Sequence, residues 1–287
     1  MCLPAINGEL MNLTQKISFI GAGNMATSII GGLIRGGISP TQLNATNVDK
    51  DQLARLQAEH GINALDDNIS AVADCDILFL SVKPQVLRSV CEEIRDAVQQ
   101  RRPLIISIAA GIQISSIDAW LGGNLAIVRC MPNTPALVGV GASGLYANPL
   151  VTETQKAAAE TMFQAIGLTE WVSEEKDLHA VTAVSGSGPA YFFLILEAME
   201  AAGVRAGLSA ATARRLSMQT MLGAATMALQ SDDDPATLKR KVMSPGGTTE
   251  RAIESFEKDG LREMFDRAIK AAAKRSEELA QQLGASS

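Results

Sequence analysis

The chain has 287 residues, of which 47% are hydrophobic and 20% charged, a composition that excludes a largely disordered protein. Its formal net charge of −6 excludes a broad basic surface, so we expect no nucleic-acid partner. Aromatic residues make up only 4% of the chain, which favours closely packed helices over a β-sandwich. The length suits two domains of modest size.

The N-terminus and the cysteines bear on where the protein works. Residues 1–10 lack the basic start and apolar core of a signal peptide, and Met11 offers a second start, so we expect a disordered extension. The four cysteines are dispersed without a CxxC pair, which predicts free buried thiols, no metal site and a reducing, cytoplasmic location. We expect no membrane partner, because the most apolar stretch, 190–196, is too short to cross a bilayer.

Short apolar runs alternate with helical stretches up to about residue 172. The runs fall at 17–20, 43–47, 77–81, 104–108 and 125–130. Several lack polar alternation, which is typical of strands buried on both faces of a parallel sheet. Helical stretches between them include 26–35, 50–60 and 86–99. We therefore predict an α/β fold with a Rossmann-type doubly wound, mainly parallel sheet, which two weaker runs, 144–147 and 169–172, extend at one edge.

A glycine-rich turn joins the first predicted strand to the first helix. Its first glycine permits a tight turn, and its second lets the backbone approach a pyrophosphate lying on the helix N-terminus. An alanine fills the third small position, where helix and strand must lie close together. The position of the turn between strand and helix predicts dinucleotide binding. The predicted contacts in this turn are Gly21, Gly23, Asn24, Met25 and Ala26.

The tip of the second strand bears on which dinucleotide is bound. An acidic side chain there binds the ribose hydroxyls of NAD and repels the extra phosphate of NADP. If Asn47 is the tip, the position is neutral and Lys50 lies near a 2′-phosphate; if Asp49 is the tip, NAD is favoured. We favour NADP, with NADPH as the reductant, and leave NADH as the alternative.

Further cofactor contacts are predicted where other parallel strands end, because ligands of such sheets bind outside the carboxyl ends of the strands. Small residues after the strand at 104–108 leave room for a nicotinamide ring. A lysine after the strand at 77–81 is equally well interpreted as a solvated residue at a helix start. The predicted contacts are Ser81, Lys83, Pro84, Ala109, Ala110 and Asn133.

The strand signal vanishes beyond residue 173. Helices are predicted at 189–203, after Ser209 to about 229, after Asp234, from 249 and from 261 to 283. We therefore divide the chain into a dinucleotide-binding domain, 1–172, and an all-helical substrate and dimerisation domain, 173–287. The abundance of alanine and methionine in the helical half suggests an interface between two copies of the chain.

Two glycine-containing segments in the helical half each precede a helix. The segment 184–191 places small residues before a helix and is interpreted as leaving backbone amides free for an anion or a cofactor amide. In the segment 244–249 three hydroxyls surround two glycines, so side-chain and backbone donors converge on a carboxylate. Each segment alone is also explained as an ordinary capped loop. Together with the dinucleotide turn, they favour a ligand site.

The chain has only two histidines, which bears on the reaction. His60 is predicted at a helix end and His179 in a helical approach to the 184–191 segment, so both are interpreted as surface or capping residues. This argues against a dehydrogenase that uses a histidine base to oxidise an alcohol. A mechanism that needs only placement, electrostatics and a weak proton donor fits better.

These segments together resemble the pyrroline-5-carboxylate reductase family, over nearly the whole chain from about Lys16. Met243 departs from the pattern, because a serine or threonine is expected before the 244–249 segment. The motifs that carry the resemblance are FIGAGNMA (19–26), SVKPQ (81–85), SIAAGI (107–112), RCMPNTP (129–135), AVTAVSGSGPAYFF (180–193) and SPGGTTERAI (244–253).

The resemblance implies hydride transfer from NAD(P)H to the imine carbon of 1-pyrroline-5-carboxylate, which yields L-proline in the last step of proline biosynthesis. It implies that Thr249 bonds the ring nitrogen and relays its proton as the catalytic residue, and that Pro189 positions the nicotinamide. It also implies a homodimer through the helical domain, with the substrate loop against the partner's cofactor domain, and larger rings of dimers are common in the family. The implied substrate-carboxylate contacts are Ser244, Gly246, Gly247 and Thr248, beside Thr249.

Two other functions are weighed. A reductase of the β-hydroxyacid dehydrogenase type requires a catalytic lysine on the first helix of the helical domain, and 189–203 contains none. A nucleotide-binding regulatory module that has lost catalysis is favoured weakly by Met243 and disfavoured by the intact 244–249 segment.

Overall fold

The computed structural model describes residues 14–284. The predicted extension at 1–10, the second start at Met11 and the thiol of Cys2 lie outside the described residues. Within this range Cys75, Cys91 and Cys130 are free and buried, as predicted, and burial raises the pKa of the Cys75 and Cys91 thiols to about 12.

One sheet of eight strands organises the first part of the chain. Its spatial order is β3-β2-β1-β4-β5-β6-β7-β8, parallel throughout except that β7 runs antiparallel to β6. This is the predicted doubly wound, mainly parallel sheet, and it includes both weaker edge runs. The strands are β1 Ile17–Ile20, β2 Leu43–Thr46, β3 Asn63–Ala64, β4 Ile77–Leu80, β5 Leu104–Ser107, β6 Ile127–Met131, β7 Gly141–Ala147 and β8 Gly167–Trp171.

Helices cover both faces of this sheet. One buried core contains side chains of α1, α2 and α6, and the other contains side chains of α3, α4 and α5. The helices are α1 Asn24–Arg35, α2 Lys50–His60, α3 Asn68–Ala73, α4 Pro84–Arg101, α5 Ile114–Trp120, α6 Glu153–Gln164 and α7 Leu178–Val181. Short 3-10 turns lie at Pro40–Gln42, Thr134–Val138 and Glu175–Asp177, and one π-helical turn at Thr182–Gly186.

The strands differ from the prediction mainly at their ends. β2, β4 and β5 each end one residue earlier than predicted, because the next residue already begins the turn towards a helix. β6 begins two residues later than predicted, since the backbone N–H of Leu125 donates to the Asp118 carboxylate, 3.0 Å away, instead of joining the ladder. The two-residue strand β3 was not predicted, because it is too short to show a periodic pattern.

Five helices follow in the second half. They are α8 Gly188–Arg205, α9 Ala210–Gln230, α10 Pro235–Val242 and α11 Thr248–Lys258, and a fifth, α12, runs Leu261–Gly284. The predicted N-caps are confirmed: the side chains of Ser209 and Asp234 accept hydrogen bonds from the amides of Thr212 and Thr237, at 3.2 and 2.6 Å. Helices α8 and α9 pack closely at Gly203, where an added Cβ would lie 3.1 Å from that of Ala213.

Two compact units result. The first comprises 14–187 and 272–284, and the second comprises Gly188–Ala271. The boundary at 271 falls within α12, so the beginning of this helix belongs to the second unit and its end to the first. The predicted boundary at 173 marks the end of the strand signal, whereas the units separate 15 residues later. The reason is that α7 packs on β7: Val181 lies over Gly144, where a Cβ would be 2.6 Å from the valine.

Candidate active site

The turn between β1 and α1 depends on the first of its glycines. Gly21 has φ +92°, which side chains rarely adopt, and its N–H donates to the carbonyl of Thr46 at 3.0 Å. A Cβ on Gly21 would lie 2.8 Å from the carbonyl carbon and oxygen of Ser81. The strand end of β4 therefore leaves no room for any side chain at Gly21.

Gly23 is different, because its missing side chain faces open space. It is the N-cap of α1 in an extended conformation, and an added Cβ would meet no atom within 4 Å. The first turn of α1 has unpaired backbone amides and the positive end of the helix dipole. It contains no acidic residue that would compete with a bound anion. Asn24 there is exposed, and Ala26 is buried against the sheet, as the predicted third small position requires. The cradle fits a pyrophosphate.

The segment after β4 adds an unpaired polar atom at the same edge. Among the described residues, Ser81 Oγ is buried and has no hydrogen-bond partner. Lys83 is the exposed N-cap of α4, and Pro84 is the first residue of that helix. A buried hydroxyl without a partner fits a site that a ligand completes.

The end of β5 is supported from behind by the C-terminal part of α12. Ala109 is buried and Ala110 exposed. At the next residue, Gly111, φ is +77°, and an added Cβ would meet Leu283 at 3.5 Å and Ala280 at 3.6 Å. The last turns of the chain therefore fix the small-residue loop at which the nicotinamide is predicted.

Asn133 is held in place by hydrogen bonds on both sides of its amide group. The side chain is only 8% exposed; its Nδ2 donates to the carbonyl of Ser185 at 3.0 Å, and its Oδ1 accepts from the N–H of Ala142 at 2.9 Å. The structure thus places Asn133 at the predicted edge, where it connects β6 to the π-helical turn.

The prediction that the 184–191 segment leaves its backbone amides free is wrong. The segment is not an open loop, because a π-helical turn runs into α8 and the N–H of Ser187 donates to the carbonyl of Thr182 at 2.8 Å. Burial of Ala183 and Leu178 holds this turn against the first unit. Pro189 lies half-buried in the first turn of α8, at the helical position that suits proline.

The tip of the second strand presents a neutral residue. β2 ends at Thr46, and the side chain of Asn47 donates to Gln52 Oε1 at 2.9 Å. The Asp49 carboxylate is the N-cap of α2 and accepts the N–H of Gln52 at 2.9 Å. Lys50 Nζ donates to a backbone carbonyl of the loop before α3, at 3.1 Å. The acidic group near the tip is therefore already engaged by its own helix.

A polar network at the same edge was not predicted. Thr46 Oγ1 donates to Asn68 Oδ1 at 2.7 Å, and Asn68 Nδ2 donates to the two carboxylate oxygens of Glu93 at 3.1 and 3.3 Å. The Asp67-Asn68 pair at the start of α3 was the available signal, because such residues begin helices and point side chains into strand-end loops.

A buried ion pair was also missed. Arg129 Nη1 lies 2.6 Å from Glu175 Oε1, and the two side chains are 7% and 24% exposed. The same carboxylate accepts the N–H of Ile114 at 2.8 Å. Burial, with the nearby Arg129, lowers the pKa of His179, whose Nδ1 lies 2.9 Å from Ser276 Oγ of α12. His179 thus has a structural position, and His60 ends α2 as predicted.

Glu175→Gln is expected to destabilise the protein by roughly 2–3 kcal/mol, because loss of one partner leaves Arg129 buried without its counter-charge. Urea denaturation measures the effect. The matched control is Glu174→Gln, whose pair with Lys176 is exposed and should cost less than about 1 kcal/mol. Equal losses in the two variants would contradict the role of the buried pair.

In the second unit, a tight glycine turn precedes α11. The N–H of Gly247 donates to the carbonyl of Ser244 at 2.8 Å, and Gly246 has φ +69°. A Cβ on Gly247 would lie 2.8 Å from the Ser244 oxygen, so this position requires glycine. Thr248 and Thr249 form the first turn of α11, exposed and half-buried respectively. Thr248 and Thr249 place their backbone amides at the start of α11, the end of a helix that favours an anion.

Met243 is the C-cap of α10 and directly precedes this turn. Its backbone N–H donates to the carbonyl of Arg240 at 3.1 Å.

Within residues 14–284 no group of three or more His, Cys, Asp or Glu side chains is arranged to hold a metal ion.

These features define a class. A mainly parallel sheet with a glycine turn, an open space at a helix start and small residues at the strand ends is typical of the Rossmann-type oxidoreductases. Residues 16–111 match the family of NADP oxidoreductases described as coenzyme F420-dependent. Residues 175–279 match the pyrroline-5-carboxylate reductase dimerisation family.

Individual relatives narrow the class. The pyrroline-5-carboxylate reductase of Pseudomonas aeruginosa is 51% identical over 271 residues, covering 94% of this chain and 99% of that protein. A solved pyrroline-5-carboxylate reductase from Coxiella burnetii has a TM-score of 0.90 and 44% identity, covering 93% and 99% of the two chains. A Plasmodium falciparum pyrroline carboxylate reductase with NADP bound has a TM-score of 0.82 and 31% identity, covering 93% and 98%. The chain belongs to the pyrroline-5-carboxylate reductase family.

Proposed function

We propose that the protein reduces 1-pyrroline-5-carboxylate to L-proline with a nicotinamide dinucleotide, the last step of proline biosynthesis. The observation that carries the proposal is the turn at 244–249, which gathers donors suited to a carboxylate, in a family member that also has a dinucleotide cradle. The reaction needs no histidine base, in keeping with the structural position of His179.

The cofactor site is proposed at the carboxyl edge of the sheet. Gly21 shapes the turn and Gly23 leaves the space in which a pyrophosphate fits, with Asn24, Met25 and Ala26 completing the helix start. The remaining proposed contacts come from the other strand ends and from α8. They are Asn47, Ser81, Lys83, Pro84, Ala109, Ala110, Asn133 and Pro189.

NADPH is the proposed reductant. In support, β2 ends before a neutral Asn47, and the carboxylate of Asp49 caps α2 by accepting the N–H of Gln52. Lys50 lies at the start of the same helix and supplies a positive charge for a 2′-phosphate. The presence of NADP in the Plasmodium falciparum relative agrees with this choice.

The substrate carboxylate is proposed to bind Ser244, Gly246, Gly247 and Thr248. Thr249, in the first turn of α11, is proposed to hydrogen-bond the ring nitrogen and to relay its proton. A helix start attracts an anion through its unpaired amides and its dipole, so the carboxylate fixes the ring relative to the Thr249 hydroxyl.

Catalysis in this scheme is mainly orientation. The residues at the carboxyl edge of the sheet would hold the nicotinamide, which when bound would supply the hydride for the imine carbon. A protonated imine is already electrophilic, so the residues of the chain need only hold it, exclude misplaced water and maintain the proton on nitrogen. Thr249 holds that proton through its hydrogen bond.

The β-hydroxyacid dehydrogenase alternative requires a lysine on the first helix of the helical domain. That helix is α8, Gly188–Arg205, and its sequence GPAYFFLILEAMEAAGVR contains no lysine. The alternative therefore lacks its catalytic group.

A homodimer through the helical part is proposed, with rings of dimers as the larger assembly. Many large apolar side chains on α8 and α9 are exposed in the single chain, among them Phe192, Phe193, Leu216 and Met227, and the dimerisation family match spans both helices. The sequence-based reason for expecting no membrane partner, that the apolar stretch is too short, is wrong, because the continuous helical stretch Glu175–Arg205 is long and apolar enough to cross a membrane by length and composition alone. Its apolar surface is equally suited to a partner subunit, and the free buried thiols agree with a cytoplasmic enzyme.

A turnover assay tests the proposal. The purified protein is mixed with 1-pyrroline-5-carboxylate and NADPH, or NADH in a parallel arm, and the loss of the reduced cofactor's absorbance is followed together with proline formation. We expect turnover in both arms and a higher kcat/KM for NADPH. No turnover with either cofactor would refute the function, and a higher value for NADH would refute the cofactor preference alone.

A further inference from the structure

The glycine turn before α11 is held by a carboxylate from the same helix. The N–H of Gly246 donates to Glu250 Oε2 at 2.7 Å. Glu250 is the third residue of α11, after the N-cap Gly247, and its side chain is half-buried. Its position lets it reach back over the helix start, in the manner of the acidic residue in a capping box.

This hydrogen bond adds to two other constraints on the turn. Gly247 is bonded to the Ser244 carbonyl and has no room for a side chain, and Gly246 occupies a left-handed conformation. Loss of the Glu250 carboxylate would remove the hydrogen bond that joins Gly246 to α11. Glu250 therefore contributes directly to the shape of the turn.

The charge of Glu250 has no partner of opposite sign. Within residues 14–284 it forms no ion pair, whereas Glu254, one turn further along α11, pairs with Arg251 at 2.9 Å. Among the described residues, the Glu250 carboxylate is balanced by the Gly246 amide and the positive end of the helix dipole. Without the Glu250 carboxylate, the Gly246 amide and the helix dipole would both be free to interact with a bound anion.

We propose that Glu250 is a positioning residue of the substrate loop and that its charge sets the affinity of this loop for carboxylates. Its hydrogen bond fixes the Gly246-Gly247 turn, and its negative charge limits how tightly that turn binds any carboxylate. The inference rests on the proposed function. Because 1-pyrroline-5-carboxylate and L-proline both carry a carboxylate, the charge weakens the binding of substrate and product alike. It therefore raises KM and the inhibition constant of L-proline without acting on the hydride-transfer step.

The variant Glu250→Gln separates the hydrogen bond from the charge, because the glutamine oxygen still accepts the Gly246 N–H. We expect KM for 1-pyrroline-5-carboxylate and the inhibition constant of L-proline to fall together by about threefold to tenfold, the size of one nearby charge at a partly exposed site. Values of kcat and of KM for NADPH should stay within about twofold, since neither depends on carboxylate affinity.

Glu254→Gln is the matched control, since it removes the same charge from the same helix without touching the turn, and its constants should equal those of the wild type. An unchanged or raised KM in Glu250→Gln, or a fall in KM for NADPH by the same factor, would overturn the inference. Failure of the proposed function is recognised separately, because the wild-type protein would then itself show no turnover.

Discussion

Thr249→Ala is expected to lower kcat for 1-pyrroline-5-carboxylate reduction by about a hundredfold, the lower end of what a positioned proton donor contributes. The hydroxyl lies in the first turn of α11, immediately after the residues proposed to hold the carboxylate. Its removal leaves the turn at 244–247 intact, because no hydrogen bond of that turn involves Thr249. The dissociation constant of NADPH should therefore change by less than about twofold, as measured by fluorescence titration.

A matched variant distinguishes this effect from the loss of any threonine hydroxyl. Thr161→Ala removes an Oγ1 that donates to the Ala157 carbonyl at 2.9 Å on α6, and its kcat should equal that of the wild type. If Thr249→Ala retains the wild-type kcat, the ring nitrogen receives its proton by another route and the proposed role is wrong.

Gly23→Val is expected to weaken NADPH binding by about tenfold to a hundredfold, because overpacking a fitted site costs about 1–3 kcal/mol. The side chain would enter the open space beside the start of α1, where an added Cβ meets no protein atom within 4 Å. The folded protein itself tolerates the change, since Gly23 has an ordinary extended conformation. The melting temperature of the cofactor-free protein should fall by less than about 4 °C, the equivalent of a weakened N-cap.

Gly21→Ala provides the contrast. Its strained φ and the 2.8 Å approach of the new Cβ to the Ser81 carbonyl lower the stability of the fold itself, by about 1–3 kcal/mol for the backbone conformation alone. A Gly23→Val protein that binds NADPH as tightly as the wild type would show that the open space is not the pyrophosphate site.

Local signals in the sequence were sufficient for most of the fold. The capping residues Ser209 and Asp234 mark the starts of two helices, and their side chains accept the expected amides. Gly61 ends α2 in a left-handed conformation, as its position after His60 predicts. Such signals succeed because the forces behind them act within one helical turn.

Features that depend on distant contacts were not predictable in the same way. Arg129 and Glu175 are 46 residues apart in sequence, and no local pattern links them. The 184–187 segment looks like a loop from its small residues, but burial of Ala183 draws it into a π-helical turn. The contact of Glu250 with the glycine turn was not predicted, although a local signal was present. Glu250 lies three residues after Gly247, the spacing of a capping box.

In the proposed site, too, some features were predictable from local sequence and others depended on distant contacts. Gly21, Gly246 and Gly247 are required by backbone conformation or by close contacts, whereas Gly23 leaves an open space beside the start of α1. The sequence motifs indicate all four glycines. The neutral strand tip at Asn47 depended on whether β2 ends near Asn47 or near Asp49, which the ladder with β1 defines. Element ends of this kind are set by sheet register and not by local propensity.

The fate of the transferred hydrogen tests the central claim most directly. The protein is incubated with 1-pyrroline-5-carboxylate and NADPH that carries deuterium at the transferable C4 position, and the proline formed is examined by NMR. Direct hydride transfer to the imine carbon predicts one deuterium per molecule, located on the ring carbon that was bonded to nitrogen in the C=N group. Unlabelled proline, or no proline in the presence of folded protein and bound cofactor, would contradict the assignment.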